Sequence, residues 1–158
     1  MEFSAKVRTC LWFDNDGHEA AAFYVSLLPD SRIEQEVRLD PAGPPLVVEF
    51  TLAGTPYMVL NGGPMFKPNE AASISVLTED QAETDRLWQA LTADGGAPGM
   101  CGWLKDRYGV SWQIVPKALP RLLGRGGPGA ARVREAMMGM TKIDIAALEA
   151  AYAVSEKG

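Results

Sequence analysis

The side chains with the clearest potential for chemistry lie in the run 101–116, CGWLKDRYGVSWQIVP. Successive residues of a strand point to opposite faces, so the run divides into two sets. One set is apolar and predicts a buried face: Leu104, Trp112 and Ile114. The other set mixes aromatic and polar groups and predicts the wall of a cavity: Trp103, Lys105, Ser111 and Gln113. The alternative is an ordinary half-exposed hairpin whose polar face lies in water.

The centre of the same run predicts a tight reversal of the chain. Asp106 can accept hydrogen bonds from the backbone ahead of it, and Gly109 can adopt the positive φ that closes such a turn. We therefore expect a hairpin whose two strands flank residues 106–109.

The elements around this hairpin repeat an earlier pattern. In the first half, strand-like and helix-like periodicities predict a strand, a helix capped by Asn15 or Asp16, and three more strands, which is the order βαβββ. A strand at 72–77, a helix with a capping-box spacing at Thr78 and Gln81, and the hairpin give a shorter version of the same order. The sequence thus predicts an α+β protein built from paired βαβββ modules.

These elements define four segments of the chain. We predict a first module at 1–63, a linker at 64–71, a second module at 72–117 and a C-terminal helical appendage at 118–158. Each module carries its helix on one sheet face, so the other faces are free to form a curled mixed sheet around a cavity.

Strand parity predicts which side chains line that cavity. If Leu11, Phe13, Met58 and Leu60 face the helix in the first module, then Tyr57, Val59 and Asn61 face the cavity together with Arg8, Cys10 and Trp12. In the second module the same reasoning gives Ser73, Ser75, Gln113 and Val115. Our candidate ligand-binding residues are Arg8, Cys10, Trp12, Tyr57, Asn61, Ser73, Trp103, Lys105 and Gln113.

Composition narrows the class of protein. A net charge of −5 argues against a nucleic-acid partner. No apolar stretch approaches the roughly 20 residues that cross a bilayer, and the N-terminus lacks the pattern of a signal peptide, so we expect no membrane partner and a cytoplasmic location. Cys10 and Cys101 lack the spacing of a disulfide framework or zinc site and are expected to be reduced thiols.

Several of these runs resemble one known family. The segments TCLWFDNDGHEAAAFY, YMVLNGG, SISVL and CGWLKDRYGVSWQIVP are similar to the PhnB-like branch of the vicinal oxygen chelate superfamily, also called glyoxalase/bleomycin-resistance proteins. This branch is labelled 3-demethylubiquinone-9 3-methyltransferase-like. The resemblance implies paired βαβββ modules that commonly dimerise, in a superfamily that includes isomerases, dioxygenases, transferases and non-catalytic antibiotic binders.

The resemblance also indicates where a metal site would lie. Metal-dependent relatives place ligands at positions that fall near Arg8 or Thr9, near Tyr57, at Ser73 and at Gln113, and only Gln113 is a suitable ligand type. We therefore expect no metal and no other cofactor. The methyltransferase label finds no support either, because the glycine-rich run at 124–129 follows no predicted strand.

Two functions remain open at this stage. The first is a small-molecule binding protein in which Trp12, Tyr57 and Trp103 stack a planar or aromatic ligand and polar neighbours orient it. The second is a metal-independent isomerase, lyase or transferase in which Lys105 or Tyr57 acts as acid or base and Arg8 holds an anionic substrate. The sequence names neither the ligand nor catalytic residues.

We also expect a homodimer. Sheet edges and the apolar stripes of the appendage need a surface to bury against, and a symmetric partner could supply it. The alternative is that the appendage folds back on its own chain.

Overall fold

Each half of the chain contains a four-stranded mixed sheet with a helix, which confirms the predicted α+β class and the paired βαβββ modules. The computed structural model describes residues 5–154. Residues 1–4 and 155–158, the ends of the predicted first module and appendage, lie outside the described residues. The chain divides into two compact units between Pro68 and Asn69.

The first unit follows the order β1 (Thr9–Phe13), α1 (Gly17–Leu27), β2 (Arg32–Val37), β3 (Val47–Leu52) and β4 (Thr55–Asn61). Its sheet has the strand order β1-β4-β3-β2. The β1–β4 pair is parallel and the other two pairs are antiparallel.

Small residues let α1 lie close to this sheet. Ala20 and Ala21 are fully buried. A Cβ atom at Gly17 would come within 2.8 Å of the Asn61 side-chain oxygen and 3.0 Å of the Phe13 ring, so only glycine fits at the start of this helix.

The predicted face of β4 is wrong. The parallel register sets Met58 beside Cys10 and Leu60 beside Trp12. Tyr57, Val59 and Asn61 therefore lie on the face that α1 covers. The run TPYMVLN carries apolar residues on both parities, so its alternation alone cannot choose a face.

The second unit follows the order β5 (Ser73–Thr78), α2 (Gln81–Thr92), β6 (Ala97–Pro98), β7 (Trp103–Lys105), β8 (Ser111–Pro116), α3 (Ala118–Leu123), α4 (Gly127–Met138) and α5 (Ile145–Tyr152). Its sheet has the order β5-β8-β7-β6, again with one parallel pair, β5–β8. The first and second sheets thus share one topology.

The predicted parity of this second sheet is confirmed. Leu104, Trp112 and Ile114 are buried. On the other face, the antiparallel register sets Trp103 opposite Gln113 and Lys105 opposite Ser111. The hairpin therefore separates an apolar face from a mixed one, as its alternation indicates.

The cap of α2 differs from the predicted one. Asp80, and not Thr78, accepts a hydrogen bond from the backbone N–H of Glu83, with an N···O distance of 2.9 Å. The Glu83 carboxylate accepts from the N–H of Glu79, the residue before the cap, at 2.8 Å, so the capping pair lies two residues further along the chain than predicted. The Thr78 hydroxyl instead bonds the Thr84 hydroxyl in the core.

The appendage packs on its own chain. Five buried residues of α3–α5 and the loop before α5 form one apolar cluster: Leu119, Leu122, Val133, Ile143 and Leu148. Val115 of β8 packs against this cluster. The Gln81 side chain donates to the Ile143 carbonyl at 3.0 Å and accepts from the Ile145 N–H at 2.8 Å. The stripes therefore need no partner, and the homodimer stays a prediction that rests on the sheet edges alone.

Within residues 5–154, no helix has both the length and the apolar character that crossing a membrane requires.

Candidate functional site

The turn between β7 and β8 is held by one buried carboxylate. Asp106 accepts hydrogen bonds from the N–H groups of Tyr108 and Val110, at 2.8 and 3.0 Å, and from the indole N–H of Trp112 at 2.9 Å. Gly109 has a φ of +85° and donates its N–H to the Asp106 carbonyl. This confirms the turn predicted from Asp106 and Gly109, and it fixes the two strands that carry the mixed face.

A cavity of about 320 Å³ opens beside this hairpin in the second unit. Its lining comes from the hairpin, from the edge strand β6 with the loop that follows it, and from the segment before β5: Glu70, Ala97, Pro98, Gly99, Met100, Trp103, Leu104, Lys105 and Ser111. The cavity thus combines an indole ring, a thioether and a proline ring with an ammonium, a carboxylate and a hydroxyl.

The two charges of the lining face each other. The Lys105 ammonium forms an ion pair with the Glu70 carboxylate. The hydrogen bond from Lys105 holds the pKa of Glu70 below its ordinary value of 4.5, so the carboxylate is ionised at neutral pH. Both side chains are about half exposed or more, and exposed pairs of this kind are weak.

The hydroxyl of Ser111 has no hydrogen-bond partner among the described residues, although the residue is only 1% exposed. Buried polar groups are almost always paired, so an unpaired one at a cavity wall requires a physical reason. The register sets Ser111 directly opposite Lys105, so the two side chains start from adjacent positions on one face of the sheet.

Two further candidates of the second unit are paired with each other. The Gln113 amide donates a hydrogen bond to the Ser73 hydroxyl at 2.9 Å. Both residues lie on the mixed face but do not line the cavity. Of the predicted residues, Trp103 and Lys105 do line it.

The candidates of the first unit have other roles. Arg8 is buried in an ionic network: it pairs with Glu34, lies 3.7 Å from Glu49, and donates to the carbonyls of Phe50 and Tyr57 at 3.2 and 3.1 Å. Its guanidinium is therefore engaged by groups of its own unit.

Tyr57 and Asn61 lie on the face of the first sheet that α1 covers, and their side chains make contacts there. The Tyr57 ring stacks on Phe50 with 5.5 Å between ring centroids, and burial raises the pKa of Tyr57 above its ordinary value of 10. The Asn61 oxygen accepts from the Gly17 N–H at 2.8 Å, and its amide donates to the Pro45 carbonyl at 2.9 Å. Both side chains have structural contacts where the sequence predicted cavity-facing groups.

Cys10 and Trp12 lie on the opposite face, as their parity predicts. Cys10 is exposed, and Trp12 is half-buried. The Trp12 indole donates to the Gly63 carbonyl at 2.9 Å and meets the Phe66 ring edge-on at 5.0 Å. The contacts given for Trp12 are thus to residues that follow β4 in its own unit.

Seven of the nine lining residues were not among the candidates, and two of these seven, Glu70 and Ser111, carry polar side chains. Glu70 falls in the predicted linker. Its ion pair with Lys105 joins residues far apart in the sequence, which a periodic pattern cannot predict. Ser111 was placed on the correct face by parity, but its lack of a partner depends on packing. Strand β6 has only two residues, which is too short for an alternating pattern to predict it from the sequence.

A metal ion does not fit the positions that the resemblance names. The corrected register puts the thioether of Met58 in place of Tyr57, Arg8 is cationic, and the Ser73 hydroxyl is already bonded by Gln113. Within residues 5–154, no group of three or more His, Cys, Asp or Glu side chains could hold a metal ion.

Comparison with known proteins identifies relatives. The family model described as 3-demethylubiquinone-9 3-methyltransferase matches residues 5–115. The structure of the PhnB protein from Bacillus cereus is 32% identical, with a TM-score of 0.65, and the match covers 71% of this chain and 99% of that one. No curated protein sequence shows significant similarity.

More distant structures share the fold alone. A protein from Pseudomonas aeruginosa is 22% identical, with a TM-score of 0.58 and coverage of 72% of this chain and 98% of that one. The fosfomycin resistance protein FosX from Listeria monocytogenes, solved with Mn(II) and sulfate, is 13% identical, with a TM-score of 0.54 and coverage of 78% and 98%.

Proposed function

The chain belongs to the 3-demethylubiquinone-9 3-methyltransferase, or PhnB-like, family of the vicinal oxygen chelate superfamily, and from this premise we propose that it is a small-molecule binding protein whose ligand occupies the cavity of the second module. The observation that carries the proposal is the lining of that cavity. It sets Trp103 beside Met100 and Pro98, and it places Lys105 and Ser111 next to them. Apolar walls with a few convergent polar groups are typical of ligand sites.

The lining favours a planar ligand. The Trp103 indole is half-buried and can stack on a flat ring, and the Met100 thioether adapts to the outline of its neighbour. A volume of about 320 Å³ lies at the lower end of the range for ligand pockets and suits a molecule of one or two rings.

Neither manganese nor methyl transfer is carried over from the relatives. Of the residues at the metal positions only Gln113 is a suitable ligand type, and its amide is bonded to Ser73. The glycine-rich run at 124–129 spans the junction between α3 and α4, whereas a nucleotide-type methyl donor usually binds a glycine-rich turn after a strand.

A metal-independent enzyme is the second candidate, and the geometry weakens it. Arg8 would have to leave Glu34 and Glu49 to hold a substrate. Burial moves the pKa of Tyr57 away from neutrality, which disfavours it as a base. Of the groups assigned to catalysis, Lys105 alone lines the cavity. Binding is therefore the function that we favour.

Blocking the cavity tests this proposal. Ala97 is exposed and lies opposite Lys105, so Ala97→Trp places an indole in the cavity without disturbing buried residues. Ala150→Trp, on the exposed side of α5, is the matched control. Ligand-observed NMR with a library of small planar compounds should give hits that bind the wild type and Ala150→Trp but not Ala97→Trp. Hits that bind all three proteins equally would contradict a ligand site in this cavity.

A further inference from the structure

We propose that the ligand of the second-module cavity is a small organic acid, whose carboxylate displaces Glu70 from Lys105 and accepts a hydrogen bond from Ser111. Its flat apolar part would lie against Trp103. This inference names the class of ligand, and it rests on the binding function proposed above.

The unpaired Ser111 hydroxyl indicates that the ligand carries a hydrogen-bonding group. The residue is 1% exposed, lines the cavity and has no partner among the described residues. A buried hydroxyl without a partner is unfavourable, and a ligand oxygen in the cavity would remove that penalty. A carboxylate oxygen is a strong acceptor for such a donor.

The positive charge of Lys105, the ladder partner of Ser111, favours a negatively charged ligand. Lys105 lies directly opposite Ser111 in the β7–β8 ladder, so both donors are held by the same pair of strands. Once the flexible Lys105 side chain leaves Glu70, an ammonium and a hydroxyl that start from opposite residues of one ladder can hold the two oxygens of one carboxylate.

Another carboxylate can replace Glu70 as the partner of the Lys105 ammonium. It lies in the turn before β5, where Asn69 accepts a hydrogen bond from the Ala71 N–H at 2.8 Å. The Glu70 side chain is 63% exposed, and that of Lys105 is 45% exposed. Exchange of one carboxylate for another conserves the charge of the site and needs only a surface side chain to move.

A cationic ligand fits less well. It would bind Glu70, which lies outside the sheet, and would leave the Lys105 ammonium without its counter-ion. A neutral ligand would leave the ion pair intact and would offer Ser111 a weaker acceptor than a carboxylate. The arrangement of donors on the sheet therefore favours the acid.

Three probes of nearly equal size separate these ligand classes. Sodium benzoate carries the carboxylate, benzamide is its neutral counterpart and benzylamine is cationic. Their affinities are measured by NMR titration at low ionic strength for the wild type and for Glu70→Gln, Lys105→Met, Ser111→Ala and Glu79→Gln. Glu79 is the matched control because its exposed ion pair with Lys117 resembles that of Glu70 with Lys105 but lies away from the cavity lining.

We expect benzoate to bind more tightly than benzamide or benzylamine. Lys105→Met and Ser111→Ala should each weaken benzoate binding about tenfold, because each removes a hydrogen bond to a charged group. Glu70→Gln should tighten benzoate binding several-fold, since it removes the competing carboxylate. Glu79→Gln should leave it unchanged.

The outcomes distinguish the two proposals. If benzamide or benzylamine binds as well as benzoate, and Lys105→Met has no effect on benzoate, the organic-acid assignment is wrong while the cavity remains a binding site. If none of the probes perturbs the NMR signals of Trp103 or Lys105 at millimolar concentration, both proposals are contradicted.

Discussion

The two four-stranded sheets have the same strand order and the same pairing, yet each holds one buried polar side chain whose hydrogen bonding differs sharply from the other's. In the first, the Arg8 side chain is 4% exposed and is surrounded by Glu34, Glu49 and two backbone carbonyls. In the second, the Ser111 hydroxyl is buried at a cavity wall with no partner among residues 5–154. One topology therefore supports two different uses of polar groups.

The difference teaches how a duplicated fold can divide its roles. Charged groups that bind one another stabilise the fold and leave nothing for a ligand. A buried group that stays unpaired destabilises the folded state slightly and is available for binding. We therefore expect removal of Arg8 from the first sheet and of the Ser111 hydroxyl from the second to change stability in opposite directions.

The largest effect should come from Arg8→Met in the first sheet. Removal of the guanidinium takes the main counter-ion from Glu34 and Glu49, whose side chains are 13% and 12% exposed, and leaves the exposed Arg32 at 3.4 Å from Glu34. This should lower the free energy of unfolding by about 3 kcal/mol. Urea denaturation followed by tryptophan fluorescence measures this. Arg38→Met is the control, because the exposed Arg38–Glu36 pair should contribute less than about 1 kcal/mol. Equal losses in the two variants would mean that the Arg8 network is not specially stabilising.

Asp106→Asn should have the next largest effect. The Asn oxygen can still accept from the Tyr108 and Val110 N–H groups, but its NH₂ group would face the Trp112 indole N–H, donor against donor. We expect a loss of about 2 kcal/mol in the free energy of unfolding and a shifted Trp112 indole signal in the ¹H–¹⁵N spectrum. Asp30→Asn, at an exposed loop residue of the first unit, should cause neither change. An unshifted Trp112 signal in Asp106→Asn would argue against this hydrogen bond.

Ser111→Ala should have a smaller effect of opposite sign. Because it removes a buried hydroxyl that has no partner, it should raise the free energy of unfolding by about 1 kcal/mol. Thr84→Val provides the comparison: the Thr84 hydroxyl is also buried but bonds Thr78 at 2.6 Å, so its removal should be destabilising. A loss of stability in Ser111→Ala as large as in Thr84→Val would show that Ser111 is satisfied after all.

The smallest effect concerns the pH dependence of Glu70. Its pKa is lowered in the folded state, so the ion pair with Lys105 is fully formed above pH 4.5 and is lost as the pH falls through the lowered pKa. An NMR titration of the Glu70 side-chain carboxyl should give a pKa below 4.5 in the wild type and a value closer to 4.5 in Lys105→Met. Identical titration curves would exclude the pairing.

The hairpin could be predicted from sequence because its signals are local. A turn with Asp106 and Gly109 fixes the register of β7 on β8, and once the register is fixed, alternation assigns every side chain to a face. This is why the faces of Leu104, Trp112 and Gln113 were predicted correctly.

The face of β4 could not be predicted in the same way. Tyr57 and Val59 on one parity are as apolar as Met58 and Leu60 on the other. Only the pairing of β4 with β1, which is distant in sequence, decides between them. The pairing of Glu70 with Lys105 and the missing partner of Ser111 likewise depend on tertiary packing, which no local pattern encodes.

The most direct measurement is urea denaturation of the wild type and Ser111→Ala, each with and without sodium benzoate. Without benzoate, the variant should be the more stable protein. With benzoate well above its Kd, the wild type should gain more stability than the variant, because stabilisation by a ligand grows with the logarithm of its concentration divided by Kd. The difference between the two proteins should then close or reverse. Equal stabilisation of both proteins by benzoate, with the variant less stable in its absence, would contradict the view that the second sheet keeps Ser111 unpaired for a ligand.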